Sequence, residues 1–77
     1  MAQDNSDPRA YVQIAAQVRA RIESGDLAPG DPVPSITALV QEHGVARETA
    51  AHALRVLADE GLVRRYPGLG YFVTRPD

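Results

Sequence analysis

The sequence has no cysteine and no lysine, and no apolar run approaches the ~20 residues that span a bilayer. The first absence excludes disulfides and thiolate metal sites and fits a reducing compartment. The absence of a long apolar run excludes a membrane helix, and Met1-Ala2-Gln3-Asp4-Asn5 does not read as a signal peptide. The expectation is a soluble, cytoplasmic protein. Catalytic constellations are missing too. His43 and His52 are the only histidines and fall on different predicted helices, so no metal site is expected; His43 is expected to pack near a turn and His52 to face outward. Ser6, Ser24 and Ser35 belong to no nucleophile motif. Gly68-Leu69-Gly70 precedes a strand and does not open a helix, so it is no phosphate-binding loop. No enzyme, no cofactor and no small-molecule site is expected.

Seventy-seven residues with 44% hydrophobic content make one small globular domain. Its core is thin, because a chain this short buries only roughly 60–65% of its unfolded surface. The net charge is −2 and all eight basic residues are arginine. The charge is unevenly placed. Residues 1–40 carry Arg9, Arg19 and Arg21 against Asp4, Asp7, Glu23, Asp26 and Asp31. Residues 45–75 carry Arg47, Arg55, Arg64, Arg65 and Arg75 against Glu48, Asp59 and Glu60. The positive excess lies in the C-terminal half, where an anionic partner would dock.

Residues 1–8 are polar, end at Pro8 and read as a loose arm, with residues 76–77 as a tail. Tyr11, Ile14, Ala15, Val18 and Ile22 form one amphipathic stripe, so a first helix is predicted over residues 9–24, stopped by Gly25. The turn-rich stretch over 25–32 reads as a loop anchored by Leu27. Ser35 is a helix N-cap ahead of a second helix over 36–43, with Leu39 and Val40 as its apolar face. Gly44 ends that helix, and Val45 fills the turn. A third helix is predicted over 47–60, with Ala50, Ala53, Leu54 and Leu57 inward and Gly61 as its stop. Asp59 and Glu60 at its end oppose the helix dipole and read as solvated charges. Two extended runs, 62–66 and 71–74, flank Pro67-Gly68-Leu69-Gly70 and make a β-hairpin.

The expected architecture is therefore α+β and mainly helical: three helices plus a C-terminal hairpin, with residues 9–75 as one domain. Two short helices joined by a Gly-containing turn make a helix-turn-helix, and a hairpin directly after the second of them is a wing. Such a second helix can enter the major groove, about 12 Å wide, with its N-terminal residues at the base edges.

Seven segments in this order carry a closer likeness: YVQIA at 11–15, IESGDLAPGD at 22–31, VPS at 33–35, LVQEHGV at 39–45, RET at 47–49, ALRVLADEGLV at 53–63 and GLGYFV at 68–73. In this order and at these spacings the chain resembles the DNA-binding domain of the GntR family, from Tyr11 to Val73. The resemblance implies a winged helix-turn-helix in a bacterial transcriptional regulator, a repressor or an activator, bound to double-stranded DNA and forming a homodimer on a palindromic operator. It implies DNA-contacting residues at the start of helix two, Ser35 and Thr37, and at the start of helix three, Arg47, Thr49, Ala51 and His52. It implies wing contacts from Arg64, Arg65, Gly68 and Gly70. Adjacent strand residues point to opposite faces, so only one of Arg64 and Arg65 is expected to face DNA.

The departures from the family pattern are specific. Ile36 and Thr37 stand where the family has an acidic residue and a DNA-contacting arginine. Ala38 replaces the acid that would complete a capping box with Ser35, and Ala46 replaces a Ser or Thr N-cap. Ala51 replaces a second recognition-helix arginine, and Leu69 a basic wing tip. Three cationic contacts are thus absent, which predicts weaker and less salt-sensitive binding. A second reading takes Ile36, Tyr66 and Leu69 as an apolar patch for a protein partner, with weak DNA affinity.

Overall fold

A computed structural model describes residues 9–75; the arm expected over 1–8 and the tail at 76–77 lie outside the described residues. The elements are α1 (Ala10–Glu23), α2 (Ile36–His43), α3 (Arg47–Asp59), β1 (Val63–Tyr66) and β2 (Gly70–Val73). They match the predicted order, with boundaries one residue shorter or shifted at several ends.

Each helix forms where its apolar period allows one face to be buried. Ile14, Ala15 and Val18 of α1, Leu39 of α2, and Ala50, Ala53, Leu54 and Leu57 of α3 are all buried. Tyr11, Ile22, Ile36 and Val40 pack around this cluster at its edge. The predicted anchors Leu27 and Val45 are buried as well. No polar or charged residue is buried among those described, so shape and apolar contact alone specify this core.

The turn between α2 and α3 rests on Gly44. Its backbone is left-handed, with φ of 66°, and its N–H donates to Val40 O at 2.8 Å. A residue bearing Cβ is strained there, and this conformation redirects the chain into Val45 and Ala46. Ser35 caps α2 as predicted, its hydroxyl accepting from Ala38 N at 3.0 Å.

The hairpin pairs antiparallel in the register Val63↔Val73, Arg64↔Phe72, Arg65↔Tyr71 and Tyr66↔Gly70. The supposed loop before Val33 does more than connect. Gly30 N donates to Val73 O at 2.9 Å, Val73 N to Asp31 O at 2.8 Å and Val33 N to Tyr71 O at 3.0 Å, with a bridge between Pro32 and Phe72. Proline has no N–H to donate, so the ladder runs through its neighbours, and an edge is where a sheet tolerates that. This third extended piece clamps the wing to the start of α2.

Glu60 is not a solvated end. Arg19 of α1 grips its carboxylate with two bonds, Nε to Oε1 at 2.9 Å and Nη2 to Oε2 at 2.7 Å. These hydrogen bonds, chiefly, hold the Glu60 carboxyl below its ordinary value of 4.5; desolvation opposes them and the charge of Arg19 adds to them. Two stability predictions follow from this packing. Leu54→Ala, which removes a fully buried side chain of α3, should lower unfolding free energy by about 2–5 kcal/mol, read from the urea midpoint. Because folding lowers the Glu60 pKa, the ion pair stabilises the fold above the ordinary carboxylate range and stops doing so as pH falls through the folded value. Glu60→Gln should therefore melt below the wild type at neutral pH, with the difference closing under acid. A difference that persists unchanged below pH 4.5 would assign the effect to packing.

Candidate nucleic-acid interface

The N-terminal ends of α2 and α3 open on one surface. The observation that ties them is a hydrogen bond from Arg47 Nη1, in the first turn of α3, to Thr37 Oγ1, in the first turn of α2, at 3.2 Å. Both side chains are exposed, as is Ser35. Each helix N-terminus carries unpaired N–H groups and a partial positive charge, so two of them beside one arginine favour an anion.

Thr49 and Ala51 are half-buried on α3. His52 is also half-buried, and it does not stand free: its ring stacks on Tyr11 of α1, with centroids 3.9 Å apart and an interplanar angle of 26°. Only part of the imidazole is left to face outward. Tyr11 was expected as an apolar stripe residue, and nothing in the local sequence pattern marks it as the partner of His52.

On the wing, register and alternation separate the two arginines as expected. Arg65 shares the strand face of the buried Val63 and of Tyr71. Arg64 lies on the opposite face with Phe72 and Tyr66, whose rings meet edge to face at 5.5 Å. Gly68 and Gly70 turn the hairpin with φ of 81° and 109°. A Cβ built on either would meet nothing within 4 Å, so backbone conformation, not crowding within the chain, calls for glycine there. The tip they frame is Leu69, 74% exposed, next to Tyr66 at 44%. Ile36 is half-buried and packs on the core at the entry of α2, so the three-residue patch of the second reading does not form. Tyr66 and Leu69 instead join Phe72, Arg64, Thr74 and Arg75 around a hollow of about 500 Å3.

The ion pairs sort the arginines. Arg19 is held by Glu60, Arg21 by Asp26 at 2.8 Å, and Arg55 by Glu48 at 3.0 Å. Among the described residues, Arg47, Arg64, Arg65 and Arg75 have no carboxylate partner. The cations left for an external anion therefore sit at the α3 N-terminus and on or beside the wing. The Arg55–Glu48 pair went unforeseen; its spacing of seven residues places both on one face of a helix two turns apart.

Residues 10–73 match the family described as "Bacterial regulatory proteins, gntR family". The chain belongs to the GntR family. Its likeness to individual GntR proteins is consistent with that membership. It is 39% identical over 66 residues to the HTH-type transcriptional repressor NagR of Bacillus subtilis, covering 86% of this chain and 27% of NagR. To the histidine utilization repressor of Klebsiella aerogenes it is 41% identical over 66 residues, covering 86% of this chain and 27% of that protein. The AraR DNA-binding domain, solved in complex with operator ORE1, superposes with a TM-score of 0.80 at 31% identity, covering 83% of this chain and 78% of that one. The chain thus spans about a quarter of the length of these curated GntR repressors and corresponds to their winged helix-turn-helix domain. The family is one of bacterial regulatory proteins.

The capping of α3 is a local departure with a measurable effect. Ala46 has the extended backbone of an N-cap, φ −69° and ψ 155°, but no side chain that can cap. A serine fits that backbone without strain. Ala46→Ser should raise unfolding free energy by about 0.5–2 kcal/mol in denaturant titration; no gain would mean that the α3 N–H groups are already satisfied by solvent at no cost.

Proposed function

We propose that residues 9–75 bind double-stranded DNA sequence-specifically and that the protein is a cytoplasmic transcriptional regulator of the GntR type. The observation that carries the reading is the exposed Arg47 at the first position of α3, without a carboxylate partner among the described residues and set beside the α2 N-terminus. An arginine so placed can pair bidentately with guanine or clamp a phosphate. On this reading α3 enters the major groove, Ser35 and Thr49 bond phosphates or base edges, Thr37 stands at the interface bonded to Arg47, and Ala51 lies against the groove with no polar contact. His52 offers its outward ring edge. The wing lies on the backbone or in the minor groove, with Arg64 or Arg65 on a phosphate and Gly68 and Gly70 allowing close approach. The AraR domain's complex with its operator supports this docking. The domain is monomeric in solution and pairs on a two-fold operator, each copy taking one half-site.

The exposed Tyr66 and Leu69 of the wing, beside the half-buried Phe72, support a second reading, a protein-interaction module with weak DNA affinity. Selection from random duplex DNA, then titration of the enriched sequence, separates the two. The regulator reading predicts a partly palindromic motif bound far more tightly than scrambled duplex. Arg47→Ala should then weaken operator binding by about 1–3 kcal/mol, while Arg21→Ala, which is paired with Asp26 and makes no tie to α3, should leave it nearly unchanged. Enrichment of nothing, with equal weak binding to every duplex, would favour the protein partner. Intact operator affinity in Arg47→Ala would move the recognition surface elsewhere.

A further inference from the structure

Arg47 has no restraint from its own helix. The residue after it, Glu48, is engaged by Arg55, and the position one turn on is Ala51, too short to reach a guanidinium. Its one side-chain tie crosses to the other helix, the bond from Nη1 to Thr37 Oγ1 at 3.2 Å. Thr37 is exposed and among the described residues its side chain makes no other bond, so the hydroxyl contributes nothing visible to the fold. The consequence for Arg47 is large. A phosphate accepts a guanidinium over many orientations, but a guanine presents O6 and N7 in one plane and needs the fork held in that plane. Thr37 uses one of the five N–H donors and leaves four, enough for a bidentate contact.

We infer that Thr37 is a positioning residue that orients the Arg47 guanidinium to read one guanine, so that base discrimination at that pair depends on a hydroxyl that itself need not touch DNA. This rests on Arg47 meeting DNA as proposed above. The geometry divides two roles between two side chains: Arg47 supplies the charge and the donors, Thr37 the orientation. The hydroxyl also fits a second consequence of the bond. Having accepted from Arg47, it keeps its own proton free, and a phosphate oxygen could take it; that alternative predicts a different pattern of loss and is separable by experiment.

The test uses the 77-residue chain with Thr37→Val, which keeps shape and removes the hydroxyl, and Thr37→Ser, which restores it. Dissociation constants are measured for the selected operator, for duplexes with each half-site base pair swapped in turn, and for scrambled DNA, at two salt concentrations. Arg47→Ala first identifies the base pair Arg47 reads, where the wild type should discriminate roughly 5- to 150-fold. Thr37→Val should flatten discrimination at that pair to under about threefold, leave scrambled DNA within about twofold and leave the salt slope unchanged, since no phosphate contact is lost. Thr37→Ser should recover the preference. A uniform loss on every duplex, with the salt slope reduced by about one, would overturn the inference and make Thr37 a phosphate ligand. Full discrimination retained in Thr37→Val would also overturn it. A wild type with no preference at any position would instead defeat the reading on which the inference rests. Melting curves of both variants verify the fold, which the exposure of Thr37 leaves undisturbed.

Discussion

The structure depends on how closely α3 can be approached. Ala50 and Ala53 are fully excluded from solvent, as is Leu57, and Leu54 nearly so. Two alanines on the inward face let α1 and α2 press against the α3 backbone, while two leucines lock the fit. Larger side chains at 50 or 53 would overpack the site and displace both neighbours. α1 then braces α3 at its middle, through the Tyr11–His52 stack, and at its C-terminal end, through the Arg19–Glu60 pair. A helix held this way cannot roll, and the direction in which Arg47 and Thr49 point is fixed by the core beneath them. Packing and recognition are two faces of one element.

The same bracing resolves the charge of the chain. A net charge of −2 is unpromising for a nucleic-acid surface, but net charge is the wrong quantity. Glu60, Asp26 and Glu48 are each engaged by an arginine, which removes much of their field from the surface. Among the described residues, the arginines without such partners are Arg47 at the α3 N-terminus and Arg64, Arg65 and Arg75 on or beside the wing. Local potential, not the sum, governs association with an anion.

Much of this was legible in sequence because it follows from period and punctuation. The burial of Ile14, Ala15, Val18, Leu54 and Leu57 follows from helical spacing, and Gly44 and Ser35 mark their own turn and cap. What was not legible depends on separation in sequence. The Arg19–Glu60 pair joins residues 41 apart, and no local pattern distinguishes it from two solvated charges. The pairing of Gly30–Val33 with β2 was hidden for another reason: its glycine and prolines are loop formers by composition, and only the neighbouring strand turns them into an edge. The stacking of His52 was hidden in the same way, since its partner Tyr11 lies on another helix. The site residues Ser35, Thr37 and Arg47 were placed in sequence by family resemblance, but the bond that joins two of them was not.

That bond bears on how a weakly charged reader can be selective. Thr37, Ala51 and Leu69 stand where the family resemblance implies basic residues, which leaves Arg47 and one of Arg64 and Arg65 as the cations of the proposed DNA surface. Each phosphate contact contributes a salt slope of about 0.9, so one domain draws little affinity from counterion release. Affinity of that kind is the same for every sequence. Reducing it lowers the non-specific background as much as the specific complex, and the ratio between them then rests on contacts whose geometry is fixed. An arginine tethered to a threonine and braced on a locked helix is such a contact. A second copy on the other half-site multiplies the ratio without adding a cation to either domain, because the specific terms of two half-sites add in free energy. On the reading proposed above, recognition by this surface therefore rests less on charge and more on orientation.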